Sequence, residues 1–262
     1  MSRKEVNYWR DDACAKAFWS QHEVAAYREL NEATIEWLDP APGERWLDLG
    51  CGAGRLTAAL WSKSGGTLAE AIGLDVAPLN AKAYEKLDRE SSPPANGKIK
   101  FQQADLSRGL PWTEPGVFDG AVSGLAIQYC ESYDEATQTW NSKAYDRILA
   151  DVNRALRPGG RFVFSVNVPE PSWRRVAMET LRGFWSMRKK GWMLLKLWRI
   201  NRYGGWLKRE ARKGRFHYLP ATEIAEKLEA AGFVNLECRL SFAQQAFLFR
   251  CRKPAVAKSS AA

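Results

Sequence analysis

Gly50, Gly52 and Gly54 alternate in Leu47-Asp48-Leu49-Gly50-Cys51-Gly52-Ala53-Gly54-Arg55, and their spacing points to binding chemistry. Glycine at every second position strips a loop of β-carbons, so a nucleotide-like ligand can lie against bare backbone beside a helix N-terminus. A glycine cluster alone also serves structural turns. This one falls directly between an apolar strand, Trp46 to Leu49, and a helix opening near Leu56, the context that a ligand loop requires. The spacing also sorts ligands. A dinucleotide fingerprint GxGxxG would need Gly or Ala where this chain has Arg55, and no GK[ST] follows to make a P-loop.

The elements that must position this loop follow from apolar periodicity. Residues 10 to 38 carry helical spacing and predict two helices ending at Asp39-Pro40. Strands are predicted at Trp46 to Leu49, Ala71 to Asp75, Ile99 to Gln103, Phe118 to Ser123 and Arg161 to Val168. Helices at Leu56 to Ser62, Ala81 to Leu87 and Tyr145 to Leu156 alternate with them. Pro220 opens a further helix, Ala221 to Ala231, closed by Gly232, and strands Val234 to Leu240 and Ala246 to Arg252 form a terminal hairpin. This alternation predicts an α/β fold, Rossmann-like and doubly wound, with a mostly parallel seven-stranded sheet, a C-terminal antiparallel hairpin and a helical lid insertion.

WLDLGCGAGRLT resembles the first motif of class I S-adenosylmethionine-dependent methyltransferases of the UbiE-like, small-molecule type (methyltransferase type 11). GLDVAP, FQQADL, FDGAVSGLAIQYC, LADVNRALRPGGRFVFSV and FHYLPATEIAEKLEAAGF resemble that family's later segments in the same order. The resemblance covers residues 40 to 168 and 216 to 252. It implies S-adenosylmethionine as cofactor, with Asp75 accepting from both ribose hydroxyls, Asp105 beside the adenine amino group, and Asp48 fixing the loop or meeting the methionine amine. The implied cofactor site comprises Asp48, Gly50, Cys51, Gly52, Gly54, Asp75, Val76, Asp105, Leu106 and Ser123. Taken singly, Asp75 would be a helix cap and Asp105 a turn former; the order of the motifs favours the ligand roles.

Methyl transfer from a sulfonium requires an aligned nucleophile in a dry pocket, and a base only where the acceptor is protonated at neutral pH. Gln128, Tyr129 and His217 are the candidate catalytic or orienting groups, each with an equally available structural role; relatives often carry His where Gln128 stands. The [DN]PP[YF] tetrapeptide that marks methylation of exocyclic or amide nitrogen is absent after the fourth strand. No metal is expected: five scattered cysteines, no CxxC pair and two histidines offer neither a zinc cluster nor a disulfide framework.

The net charge of +9 is concentrated. Fourteen Lys or Arg face only Glu179 and Glu210 between Arg174 and Arg215, a local +12 that leaves −3 on the rest of the chain. This segment lies where the family inserts the lid that shapes the acceptor site. With its tryptophans it reads either as an amphipathic lid packed on its own domain or as an interfacial element on anionic lipid. One domain is expected: a helical cap over 1–39, the core over 40–168 and 216–252, the lid over 169–215 and a flexible tail over 253–262. The expected acceptor is a small or lipid-like molecule of the quinone, isoprenoid or aromatic class. Alternatives are tRNA methylation through the basic lid, with nucleic acid the less favoured partner, or a non-enzymatic membrane-associated module with a degenerate pocket. Without a secretory signal or a membrane-length apolar run, the expected location is cytoplasmic, with the inner membrane face as a peripheral site.

Overall fold

The computed structural model describes residues 8–11, 15–16, 19, 24–112, 114–182 and 204–255. Strands β1 (Arg45–Leu49), β2 (Glu70–Asp75), β3 (Ile99–Gln103), β4 (Phe118–Gly124), β7 (Leu156–Asn167), β8 (Val234–Ser241) and β9 (Ala246–Arg252) form one sheet in the order β3-β2-β1-β4-β7-β9-β8. Pairing is parallel from β3 through β7 and antiparallel at β7–β9 and β9–β8. A two-stranded hairpin of β5 (Ser132–Asp134) and β6 (Thr139–Asn141) stands apart.

The central strands are buried on both faces and are apolar at most positions, with Asp48, Asp119 and Ser123 as buried polar exceptions. Alternation in β1 sends Leu47 and Leu49 into a core shared with α4 (Lys143–Ala155) and α7 (Ala221–Ala230). Trp46 goes to the opposite core, with Leu60 and Trp61 of α2 (Arg55–Lys63) and Tyr84 of α3 (Asn80–Glu90). Helix α1 (Ala25–Trp37) places Ala26 and Leu30 against Val176 of α5 (Trp173–Arg182), a contact that brings the N-terminal region to the open end of the sheet. Helix α6 spans 204–212 and packs Leu207 on Phe216 and Tyr218.

The order reverses between β1 and β4, whose neighbours lie on opposite sides. In open α/β sheets the crevice at the carboxyl ends of such strands is where ligands bind. The predicted strands and helices match within a few residues, with differences at identifiable places. β7 begins at Leu156 instead of Arg161, because Leu156 pairs with Phe118 before a register shift over Pro158-Gly159-Gly160. The β5–β6 hairpin carries no glycine; Gln138 supplies its left-handed turn residue, at φ 55°. Lys253, expected to start a free tail, is held by its backbone N–H to Gly160 and its ammonium to the Leu156 carbonyl at 2.8 Å. Of the two helices predicted over 10–38, α1 is described in full, and residues 12–14, 17–18 and 20–23 lie outside the described residues.

Candidate functional site

A cavity of about 240 Å³ opens at the carboxyl ends of β1, β2 and β4. One half is built by the glycine loop. The Gly50 and Cys51 amides both donate to the Leu74 carbonyl, at 2.8 and 3.0 Å, which ties the loop to the end of β2. Gly50, at φ 67°, lies so close to the turn after β4 that a β-carbon would sit 2.1 Å from Ala126 Cβ. Gly52, at φ 51°, would meet nothing within 4 Å, so its missing side chain leaves open space on the cavity wall.

Asp75 ends β2 and sits on the same wall. One carboxylate oxygen accepts from Gly52 N–H at 3.0 Å and the other from Ala77 N–H at 2.9 Å, with the Asn80 side chain and the Val76 N–H also hydrogen-bonding to the carboxylate. Burial raises its pKa despite these bonds. Asp48, 2 % exposed on β1, accepts from the Thr57 amide and hydroxyl at 3.2 and 2.7 Å; burial lifts it to about 7. Asp105 turns the chain after β3: its carboxylate accepts from Ser107 N–H at 3.1 Å and pairs with Arg10 at 2.7 Å. Trp19 Nε1 donates to Asn80 Oδ1 at 2.7 Å, and Trp9 packs on Tyr129 with ring centroids 4.7 Å apart, so described parts of the N-terminal segment wall the cavity.

The shift at Asp48 makes a prediction. A carboxyl whose folded pKa is raised favours folding below its unfolded value of 3.8, and that stability is lost as pH rises toward 7. Asp48→Asn is therefore expected to melt near the wild type at about pH 4 and several degrees above it at about pH 8. Thermal melts at the two pH values check this; a gap independent of pH would contradict it.

The other half of the cavity is apolar and aromatic, with Tyr27, Leu30, Leu125, Tyr129, Trp173 and Leu207 on its wall beside Asn167. Tyr129 Oη lies 3.2 Å from Tyr218 Oη and accepts from Asn167 Nδ2 at 3.3 Å. Burial pushes the Tyr129 phenol well above its ordinary range, so it stays protonated.

Several of the residues singled out in the sequence therefore share one cavity: Asp48, Gly50, Cys51, Gly52, Asp75, Val76, Asp105, Leu106 and Tyr129. Four others lie behind its wall. Ser123 is fully buried and donates to the Leu49 carbonyl at 2.9 Å, joining β4 to β1. Gly54 caps α2 at φ 79°, where a β-carbon would press on Tyr84 and Leu87. Gln128 is fully buried and accepts from Asn167 N–H. His217 shares a hydrogen bond between Nε2 and the Cys130 carbonyl at 2.9 Å, and burial lowers it to about 4, which leaves it neutral and walled off. Asn167 and Trp173 escape a reading by periodicity, because Asn167 ends a strand that otherwise reads as apolar; that polar residue at a strand's carboxyl end is the available signal.

In the basic segment, Lys208 and Arg212 pair with Glu170, Lys213 with Glu210, and buried Arg215 with Glu131 and Glu210. These four cations are thus paired within the fold. Residues 183–203, which hold Phe184, Trp185, Trp192 and Trp198, lie outside the described residues, as do Phe18 and the side chain of Tyr8. Among the described residues no group of His, Cys, Asp and Glu could hold a metal, and no helix is long and apolar enough to cross a membrane.

A loop with glycine at every second position, a carboxylate at the end of β2 and a second carboxylate after β3 fit a nucleoside-bearing cofactor. Comparison with known proteins agrees. A family profile described as a methyltransferase domain matches residues 47–164. The chain is 29% identical over 160 residues to the O-methyltransferase cnsE of Penicillium expansum, covering 61% of this chain and 49% of that protein. It is 32% identical over 145 residues to a malonyl-[acyl-carrier protein] O-methyltransferase of Methylococcus capsulatus, covering 54% and 45%. The chain thus spans about half the length of these curated relatives. Among solved structures, the complex of the Haloferax volcanii Trm112 methyltransferase activator with a putative methyltransferase superposes with a TM-score of 0.62 at 15% identity, covering 95% of this chain and 99% of that one.

Proposed function

Because the chain belongs to the class I S-adenosylmethionine-dependent methyltransferases, with S-adenosylmethionine as cofactor, we propose that it methylates an oxygen of a small apolar or aromatic acceptor. The observation that carries this reading is the single cavity that joins the glycine loop and Asp75 to the aromatic wall around Tyr129. Both curated relatives described above are named O-methyltransferases, which supports oxygen as the methylated atom.

When bound, the cofactor supplies an activated methyl group on a positively charged sulfur. Asp75 would accept from the ribose hydroxyls, and Asp105 from the adenine amino group. Val76 and Leu106 would flank the adenine, with the backbone of Gly50, Cys51 and Gly52 alongside. Asp48 would face the methionine amine, a cation that favours its ionised form. Trp9, Tyr27, Trp173 and Leu207 line the acceptor half with largely apolar surface, which favours a dry transfer.

The described wall of that half carries no His, Lys, Asp or Glu, and Tyr129 is held protonated. The side chains there align the acceptor and hold no proton in transit. The acceptor that suits these described side chains is one whose oxygen attacks without a side-chain base, such as an acidic phenol, an enol or a carboxylate. Incubation with methyl-tritiated S-adenosylmethionine and a panel of such compounds tests the reading. Label is expected in an organic-extractable product; retention of all label on the donor, across the phenol, enol and carboxylate sets, would overturn it.

A further inference from the structure

We infer that Asn167 is the positioning residue for the methyl acceptor, and that it selects a small aromatic molecule presenting an O–H or N–H group besides the oxygen that is methylated. The inference rests on the cofactor assignment above and adds to it the polarity of the acceptor. Asn167 is fully buried at the end of β7 and forms part of the cavity wall. Its backbone N–H is spent on Gln128 and its Nδ2 on Tyr129, which leaves Oδ1 buried with no hydrogen-bond partner.

A buried amide oxygen without a donor costs the fold about 1–3 kcal/mol, and almost all such groups in folded proteins are satisfied. A ligand that brings a donor removes that cost. The position of Asn167 separates this role from cofactor binding: β7 lies beyond β4, on the side of the sheet away from the β1, β2 and β3 ends that carry Asp48, Asp75 and Asp105. Its companions on the wall are Tyr129, Tyr27 and Trp173, flat rings suited to a planar guest.

Trp173 adds its ring to the wall, while its Cδ1–Nε1 edge packs on Gly204, so its part in the subsite is a flat apolar face. Tyr129 and Tyr218 are both held in the neutral form by burial, so they meet a guest through hydrogen bonds and ring contacts.

Three naphthalene probes read this directly in wild-type protein saturated with S-adenosylhomocysteine, by equilibrium dialysis: 2-naphthol, its isostere 2-methylnaphthalene, and 2-methoxynaphthalene, which accepts but cannot donate. The hydroxyl probe is expected to bind about tenfold more tightly than the methyl probe, the effect of one well-made buried hydrogen bond. In Asn167→Leu the preference should fall to about twofold or less, and in Asn167→Asp, which keeps an accepting oxygen, it should return. Affinity for S-adenosylhomocysteine should be unchanged in both variants. Equal binding of the first two probes, binding of none, or a preference for the methoxy probe would overturn the inference, and the wild-type comparison decides this even where the leucine variant does not fold. Failure of S-adenosylhomocysteine to bind the wild type would instead strike the cofactor assignment.

Discussion

Asp75→Ala is expected to weaken binding of S-adenosylhomocysteine at least 100-fold while the protein stays folded. The two ribose hydroxyls would lose a charged acceptor, and hydrogen bonds to a charged group contribute about 1.5–3 kcal/mol each, so losing both amounts to a factor of 100 or more. The fold should tolerate the change. Burial raises the pKa of Asp75 and makes its charge costly, and hydrogen bonds from backbone N–H groups and the Asn80 side chain offset only part of that cost. Removing the carboxylate relieves the burial cost and frees the Gly52 and Ala77 amides at the cavity edge. Calorimetric titration of wild type and variant, with a thermal melt of each, checks the prediction. Binding within tenfold of wild type would remove Asp75 from the site, whatever the melt showed.

Gly50→Ala is expected to act in the opposite order, on the fold first. A β-carbon at residue 50 would lie 2.1 Å from Ala126 Cβ, a contact that neither residue can relieve by a rotamer change, and φ of 67° adds left-handed strain of about 1–2 kcal/mol. Overpacking of this kind costs about 1–3 kcal/mol more. A total of about 3 kcal/mol should lower the melting temperature by roughly 6–12 °C in a chain of this size. Gly52→Ala provides the contrast. Its β-carbon would meet nothing, so the melt should drop by only the strain, roughly 2–8 °C. Cofactor affinity should nevertheless fall, because the new methyl fills space on the cavity wall. Equal melting temperatures for the two variants would show that the approach of Gly50 to Ala126 is looser than described.

The parts of this protein that its sequence announces are those where local pattern and tertiary role coincide. β1, the glycine loop and α2 are legible because a strand buried on both faces must be apolar, and the loop that follows it needs left-handed glycines. Asp75 and Asp105 stand out only through the order of the motifs, since each taken singly reads as a cap or a turn residue; both line the cavity. Ser123, Gln128 and His217 lie next to legible elements yet face the interior, and no periodicity reports which way a residue in a tight turn or at a strand end points. Ser123 is spent on the Leu49 carbonyl and His217 on Cys130. Asn167 shows the converse. One polar residue closing an apolar strand carries almost no local signal, and its meaning appears only when β7 is set beside β4. The acceptor half is assembled from α1, α5, α6 and two turns, elements distant in sequence, so its walls had no motif to announce them.

Titration of S-adenosylhomocysteine into the wild-type protein tests the central claim most directly. A single saturable site of micromolar affinity is expected, since the loop, Asp75 and Asp105 already stand in the arrangement that would receive it. A folded protein that takes up neither S-adenosylhomocysteine nor S-adenosylmethionine at millimolar concentration would contradict the account.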